Sequence, residues 1–171
     1  IAPAECSSNL SRFDGIKYGY RSEAKNLSEL YLKTRAEGFG DEVQKRILIG
    51  SYVLSAGFYD AYYRKAQKVR RMIKSKFDEF FMDVDLVFLP TTLDQAFEMN
   101  RESSDPNRMY KEDLLTIPAN LAGLPAMSLP NGFSKNLPIG VQFVGNYFSE
   151  ELLLNTAHKM QEVTDWHKMT P

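Results

Sequence analysis

Two ionised side chains stand on helical stripes that are otherwise apolar. Arg46 falls between Val43 and Ile47, and the row Arg46, Gly50, Val53, Gly57 follows an i, i+4, i+7, i+11 spacing. Two glycines in one helix row cost about 1 kcal/mol each relative to alanine. A helix that keeps them is expected to meet another backbone, or a ligand, closely there. A guanidinium in that row is half buried and must find a carboxylate. Asp113 is the mirror case: Tyr110, Leu114, Ile117 and Leu121 form the buried stripe of its helix, and Asp113 falls at the stripe's edge. A half-buried acid needs a cation or several donors. Spacing alone leaves two readings open. Either each residue pairs with a structural partner, or the opposite charges together clamp a zwitterion such as an amino acid.

The remaining reactive groups read as structural. Ser7-Ser8 lies in no G-x-S-x-G elbow and has no Lys or His in local reach, so it reads as a turn or capping pair. Cys6 reads as a small loop residue, His158 as a surface or core-edge residue of a terminal helix, and His167 as part of a tail beside Trp166. One cysteine and 2 histidines are too few soft ligands for the usual structural zinc sites, and one cysteine forms no intrachain disulfide. Gly15, Gly19 and Gly38-Phe39-Gly40 do not match a phosphate-cradling loop, which speaks against nucleotide binding by this chain. The basic run from Arg64 to Lys76 puts Arg64, Lys68 and Arg71 on one helix face, which would suit RNA phosphates. With 21 Lys+Arg against 22 Asp+Glu, net −1, a solvated face is the better reading.

The elements that must position these groups follow from periodicity and caps. Residues 5–21 read as irregular, with Phe13, Tyr18 and Tyr20 packing on something. A helix is expected over 28–37, capped by Ser28 and stopped by Gly38. Apolar residues recur at helical spacing from 41 to 81, with Gly57 as a possible bend. A rod of roughly 40 residues would be roughly 60 Å long, too long for a compact domain of this size unless it packs along a larger body. Residues 85–90 read as a buried strand, 91–105 as a polar loop, and Asp105-Pro106 as the start of a helix that closes at Gly123, with Pro118 inside it forcing a kink or early stop at Ile117. Strands at 126–130 and 139–144 form an antiparallel hairpin, and Ser149 caps a last helix to about 163. The class expected is α/β, a mixed β-sheet flanked by helices.

At 171 residues, 43% hydrophobic and 25% charged, the composition is that of an ordinary globular chain, and the length fits one domain. No run approaches the roughly 18 apolar residues of a spanning helix. Sparse cysteine makes a reducing, intracellular compartment the default, with the cytoplasm expected. The start Ile1-Ala2-Pro3, without Met and without a signal-peptide pattern, is expected of a trimmed chain, a fragment or a piece cut from a larger protein.

Several segments are familiar as strings. They include Glu5-Cys6-Ser7-Ser8-Asn9-Leu10-Ser11-Arg12-Phe13-Asp14-Gly15-Ile16-Lys17-Tyr18-Gly19, the Gly38-Phe39-Gly40-Asp41-Glu42-Val43 segment followed by Lys45-Arg46, and Tyr59-Asp60-Ala61-Tyr62-Tyr63. Pro118-Ala119-Asn120-Leu121-Ala122-Gly123, Leu137-Pro138-Ile139-Gly140-Val141-Gln142 and Thr164-Asp165-Trp166-His167 complete the set. Together they resemble the amidase signature family over essentially the whole chain. Within that family they closely resemble the A subunits of glutamyl-tRNA(Gln)/aspartyl-tRNA(Asn) amidotransferases.

The resemblance implies that residues 1–171 are the C-terminal part of a single amidase domain. The family's Ser-Ser-Lys triad lies in an upstream Gly/Ser-rich signature region, and no such string occurs here. No catalytic residue is therefore expected in this chain, and by itself it is expected to be inactive. Arg46 matches the family's arginine for the α-carboxylate of glutamine, and Asp113 its aspartate for the α-ammonium. The complete protein would release ammonia from glutamine through an acyl-serine. The ammonia would pass to a B subunit that activates mischarged tRNA with ATP and Mg2+, and a small C subunit would brace the heterotrimer. This chain itself would hold no cofactor or metal. Two other functions stay open: a stand-alone amidase acting on small amides, and an RNA-binding scaffold that uses the Arg64–Lys76 face.

Overall fold

The computed structural model describes residues 1–97, 99 and 111–170, which fall into two compact units, 1–69 and 70–171. In the first unit, α1 (Ala2–Leu10), α2 (Leu27–Gly38) and α3 (Asp41–Val53) are followed by a π-helical turn (Tyr59–Arg64). Helix α4 (Lys65–Phe80) carries the chain into the second unit, which holds β1 (Leu86–Pro90), α5 (Ile117–Ala122), β2 (Ala126–Ser134), β3 (Leu137–Gly145), α6 (Glu150–Val163) and a 3-10 turn (Trp166–Lys168).

Helix α1 corrects the irregular reading of residues 5–10. Pro3 sits in its first turn, where the missing N–H costs nothing. Packing on α3 outweighs the turn preference of Ser7, Ser8 and Asn9. Gly50 makes that packing possible: a Cβ there would run into the Pro3 carbonyl and the Ser7 side chain. The close backbone approach expected of this glycine is therefore present, and it is made by α1. Ser7 and Ser51 hydroxyls lie 3.0 Å apart across the same contact.

Residues 11–21 are irregular, as expected, and are fastened to α2. Tyr20 Oη donates to Glu37 at 2.9 Å, and Arg35 Nη1 donates to the carbonyls of Leu10 and Phe13 at 3.2 and 3.3 Å. The N-cap of α2 is Asn26 rather than Ser28: its side chain accepts from Glu29 N at 2.9 Å. Gln44 Nε2 donates to Ala36 O and Phe39 O, at 3.1 and 2.7 Å, which satisfies carbonyls at the end of α2.

The long helix expected over 41–81 is interrupted. Helix α3 ends at Val53, Gly57 takes φ +86°, and a π-helical turn precedes α4. Apolar spacing continues through the break, where the tilted rings of Tyr52, Phe58 and Tyr62 pack with centroids 4.2 to 6.3 Å apart, so periodicity alone does not reveal it. Gly57 thus lies outside the helix row predicted for it.

In the second unit β3 lies between β1 and β2, and both pairings are antiparallel. The mixed sheet of the sequence reading is thus antiparallel throughout its described strands. The Lys135-Asn136 turn, with φ of 51° and 62°, joins β2 to β3 and can pair them only antiparallel. The strands run longer than expected, with a register shift between Pro130 and Phe133. Strand β1 is an edge of this described sheet rather than a buried strand, and Phe88 is 57% exposed.

One core cluster combines Ala119, Ala122, Leu124 and Val144, packed by Phe77, Phe81, Val87 and Leu89. A second combines Leu129, Phe143, Leu153 and Ala157. Ser149 caps α6 by position, although its hydroxyl donates back to Asn146 O at 2.6 Å. Leu32, Leu48, Met72 and Phe148 are large apolar side chains left exposed. No described helix is long and apolar enough to cross a membrane.

Candidate functional site

Arg46 lies in the second turn of α3. Its Nε donates to Glu42 Oε1 at 2.9 Å, one helical turn back, and the two side chains are 47% and 44% exposed. The carboxylate that its position demanded is therefore on its own helix. Being this exposed, the pair is of the kind that contributes a few tenths of a kcal/mol. A guanidinium carries five donors, so Nε bonding to Glu42 leaves the terminal amino groups available to a carboxylate ligand.

Asp113 belongs to the second unit. The helix expected from 105 begins outside the described residues. Among those described, residues 113–116 form a turn, and α5 starts at Ile117 with Pro118 in its first turn. The break therefore falls before the proline, which opens a new helix. The predicted buried stripe is corrected with it. Leu114 and Ile117 are exposed, Tyr110 lies outside the described residues, and Ala119 and Ala122 make the buried face of α5. Helical periodicity does not carry across a turn. Gly123 closes α5 at φ +75°, as expected.

Asp113 is exposed at the start of this turn. Its carbonyl accepts from Thr116 N at 3.2 Å, Ile117 N at 3.0 Å and Thr116 Oγ1 at 3.2 Å. The backbone is thus fixed while the carboxylate faces solvent. Beside the turn opens a cleft of about 290 Å³, lined in part by Thr91, Thr116, Asn120, Ser128 and Gln142. Arg46 and Asp113 are each described within their own unit.

Sequence reasoning missed Gln142. It lies in the apolar run 139–144 and is 3% exposed. Its Nε2 donates to Pro90 O at 3.1 Å and Leu115 O at 3.0 Å. The signal was available: an amide inside a buried strand must be hydrogen-bonded or it costs stability.

The other groups weighed from the sequence stay apart from these residues. His158 is exposed beside Glu162 at 3.4 Å, and Cys6 is a partly buried free thiol on α1. The basic run is partly neutralised along its own helix by Arg64–Asp60, Lys74–Asp78 and Lys76–Glu79 pairs. Asp78 holds the Lys74 ammonium above the usual lysine range. Arg70 Nε is used on Leu121 O at 2.8 Å. Among the described residues, no three His, Cys, Asp or Glu side chains gather as a metal site requires.

Over its whole length the chain is 60% identical to the A subunit of the glutamyl-tRNA(Gln) amidotransferase of Hahella chejuensis, and it spans 36% of that protein. The solved A subunit of the glutamyl-tRNA(Gln) amidotransferase of Thermotoga maritima matches 87% of the chain at 39% identity and TM-score 0.55, the match spanning 35% of that structure. A 6-aminohexanoate cyclic dimer hydrolase matches 99% of the chain at TM-score 0.67, covering 34% of its own length. At 20% identity that likeness is one of fold alone. The chain therefore spans about a third of the length of these relatives. The Amidase family matches residues 1–154, and the chain belongs to that family.

Proposed function

We propose that this chain is the C-terminal part of the A subunit of a glutamyl-tRNA(Gln)/aspartyl-tRNA(Asn) amidotransferase, and that it carries that protein's glutamine clamp. Arg46 takes the α-carboxylate of glutamine and Asp113 its α-ammonium. Nucleophile, base and most of the oxyanion hole reside in the signature region of the full-length protein, so these residues select and orient substrate while the bond is broken elsewhere. The ammonia then serves a partner, the B subunit, which uses ATP and Mg2+ on mischarged tRNA, while a C subunit holds together a cytoplasmic heterotrimer.

The observation that carries this reading is 60% identity over the entire chain to a glutamyl-tRNA(Gln) amidotransferase A subunit. By the family resemblance, Arg46 and Asp113 correspond to its glutamine-binding arginine and aspartate. Arg46 and Asp113 are each exposed within their own unit. The near-neutral charge of the chain, and the pairing of Lys74 and Lys76 with Asp78 and Glu79 at the end of α4, weigh against the RNA-scaffold alternative.

The test combines the full-length protein with the B and C subunits of the amidotransferase and supplies glutamine, ATP and Glu-tRNA(Gln) or Asp-tRNA(Asn). Glutamine-dependent amidation of one of the two tRNAs is expected. Hydrolysis of small amides that neither requires nor responds to those two partners would instead support a stand-alone amidase.

A further inference from the structure

A residue from the middle of the sheet is bonded to the Asp113 turn. Gln142 sits on β3 between two partners, opposite Leu89 on β1 and Ser128 on β2. Its backbone is therefore held from both sides. The side chain is buried, and a primary amide has two N–H donors. They serve two carbonyls from different segments. Leu115 O lies two residues beyond Asp113 in the 113–116 turn, and Pro90 O lies at the end of β1. The adjacent Thr91 donates its N–H to Gly140 O at 3.0 Å, and its hydroxyl lies 2.8 Å from Ser128 Oγ. One buried amide thus ties an otherwise exposed turn to the central described strand and to the polar wall of the cleft beside it.

Resting on the clamp reading above, we infer that Gln142 is a positioning residue for Asp113. It anchors the Leu115–Thr116 peptide of the turn that carries Asp113, so the carboxylate meets the amino group of the substrate without first ordering its own turn. Ordering a loop on binding costs affinity, and a preformed loop avoids that cost. The effect belongs in substrate binding rather than in the chemical step.

The experiment uses the full-length protein with its partners and reads KM and kcat for glutamine, with free ammonia as the alternative donor. Gln142→Met removes both donors at similar size, and Gln142→Glu keeps the shape but offers a carboxylate that donates to neither carbonyl. Each is expected to raise KM for glutamine about tenfold, with kcat and ammonia-supported turnover within about twofold. Combined with Asp113→Asn, neither is expected to raise KM above that of Asp113→Asn alone, because both act through one group. Multiplied effects in the double variant would overturn the inference. So would an unchanged KM in both Gln142 variants, equal loss with glutamine and ammonia, or failure of both variants to fold. An unchanged KM in Asp113→Asn itself would remove Asp113 from the site and the clamp reading with it. A Gln142 failure alone leaves Asp113 in place.

Discussion

Residues 1–69 and residues 70–171 are built on different principles. Buried positions in the first unit are mostly small or polar, namely Ala4, Gly15, Ser22, Thr34 and Gly50, with Leu30 as the large apolar exception. Buried positions in the second include Leu124, Leu129, Val141, Phe143, Val144 and Leu153, gathered around the sheet. The first unit is thus held by close backbone approach and side-chain-to-backbone bonds, and the second by removal of apolar surface from water. The candidate ligands inherit the difference. Arg46 stands on a helix and is steadied by one exposed carboxylate, whereas Asp113 stands on a turn bonded through Gln142 to the sheet. A change under the sheet should therefore disturb Asp113 through its backbone, while Arg46 depends on its own side chain.

The largest effect expected on stability is in the second unit. Leu153→Ala empties a position 3% exposed in a core cluster, and a loss of roughly 3 kcal/mol is expected in denaturant titration. A loss under about 1 kcal/mol would mean that this cluster is not the core it is taken to be. Next comes Gly50→Ala. Helix propensity alone would make it stabilising by about 1 kcal/mol. The clash with the Pro3 carbonyl is expected to reverse the sign, to a net loss of roughly 1–2 kcal/mol. A stabilised variant would show that α1 does not approach so closely.

The smallest effect expected concerns pH. Lys33, followed by the Lys25 backbone N–H, holds the Glu29 carboxyl below its usual range. A depressed folded value stabilises above the unfolded value of about 4.3 and is lost as pH falls through the folded value. Glu29→Gln should therefore flatten the stability curve of the first unit slightly below about pH 4.3. An unaltered acid limb would remove Glu29 from the balance of forces.

The second unit was the more legible in the sequence, for the same reason that it is the more apolar. The strand at 86–90, the hairpin, Gly123 as a helix stop and the C-terminal helix all announce themselves as apolar runs or caps. Helix α1 did not, because its serines and asparagine favour turns until α3 packs against them. The interruption of the long helix was marked in the sequence by Gly57 alone, because aromatic contacts carry the apolar spacing across it. At the site, the types and positions of Arg46 and Asp113 were legible and their surroundings were not. Arg46 found its partner within its own helix, and the stripe assigned to Asp113 assumed a helix through what is a turn. Gln142 was overlooked because one amide in an apolar strand carries no periodic signal.

The most direct measurement is KM for glutamine in the full-length protein carrying Arg46→Ala, and separately Asp113→Asn. Each is expected to raise KM about a hundredfold, the loss of a charge-assisted contact of roughly 2.7 kcal/mol, while free ammonia still serves as donor. An unchanged KM in either variant, or equal loss with glutamine and ammonia, would contradict a clamp formed by these two residues.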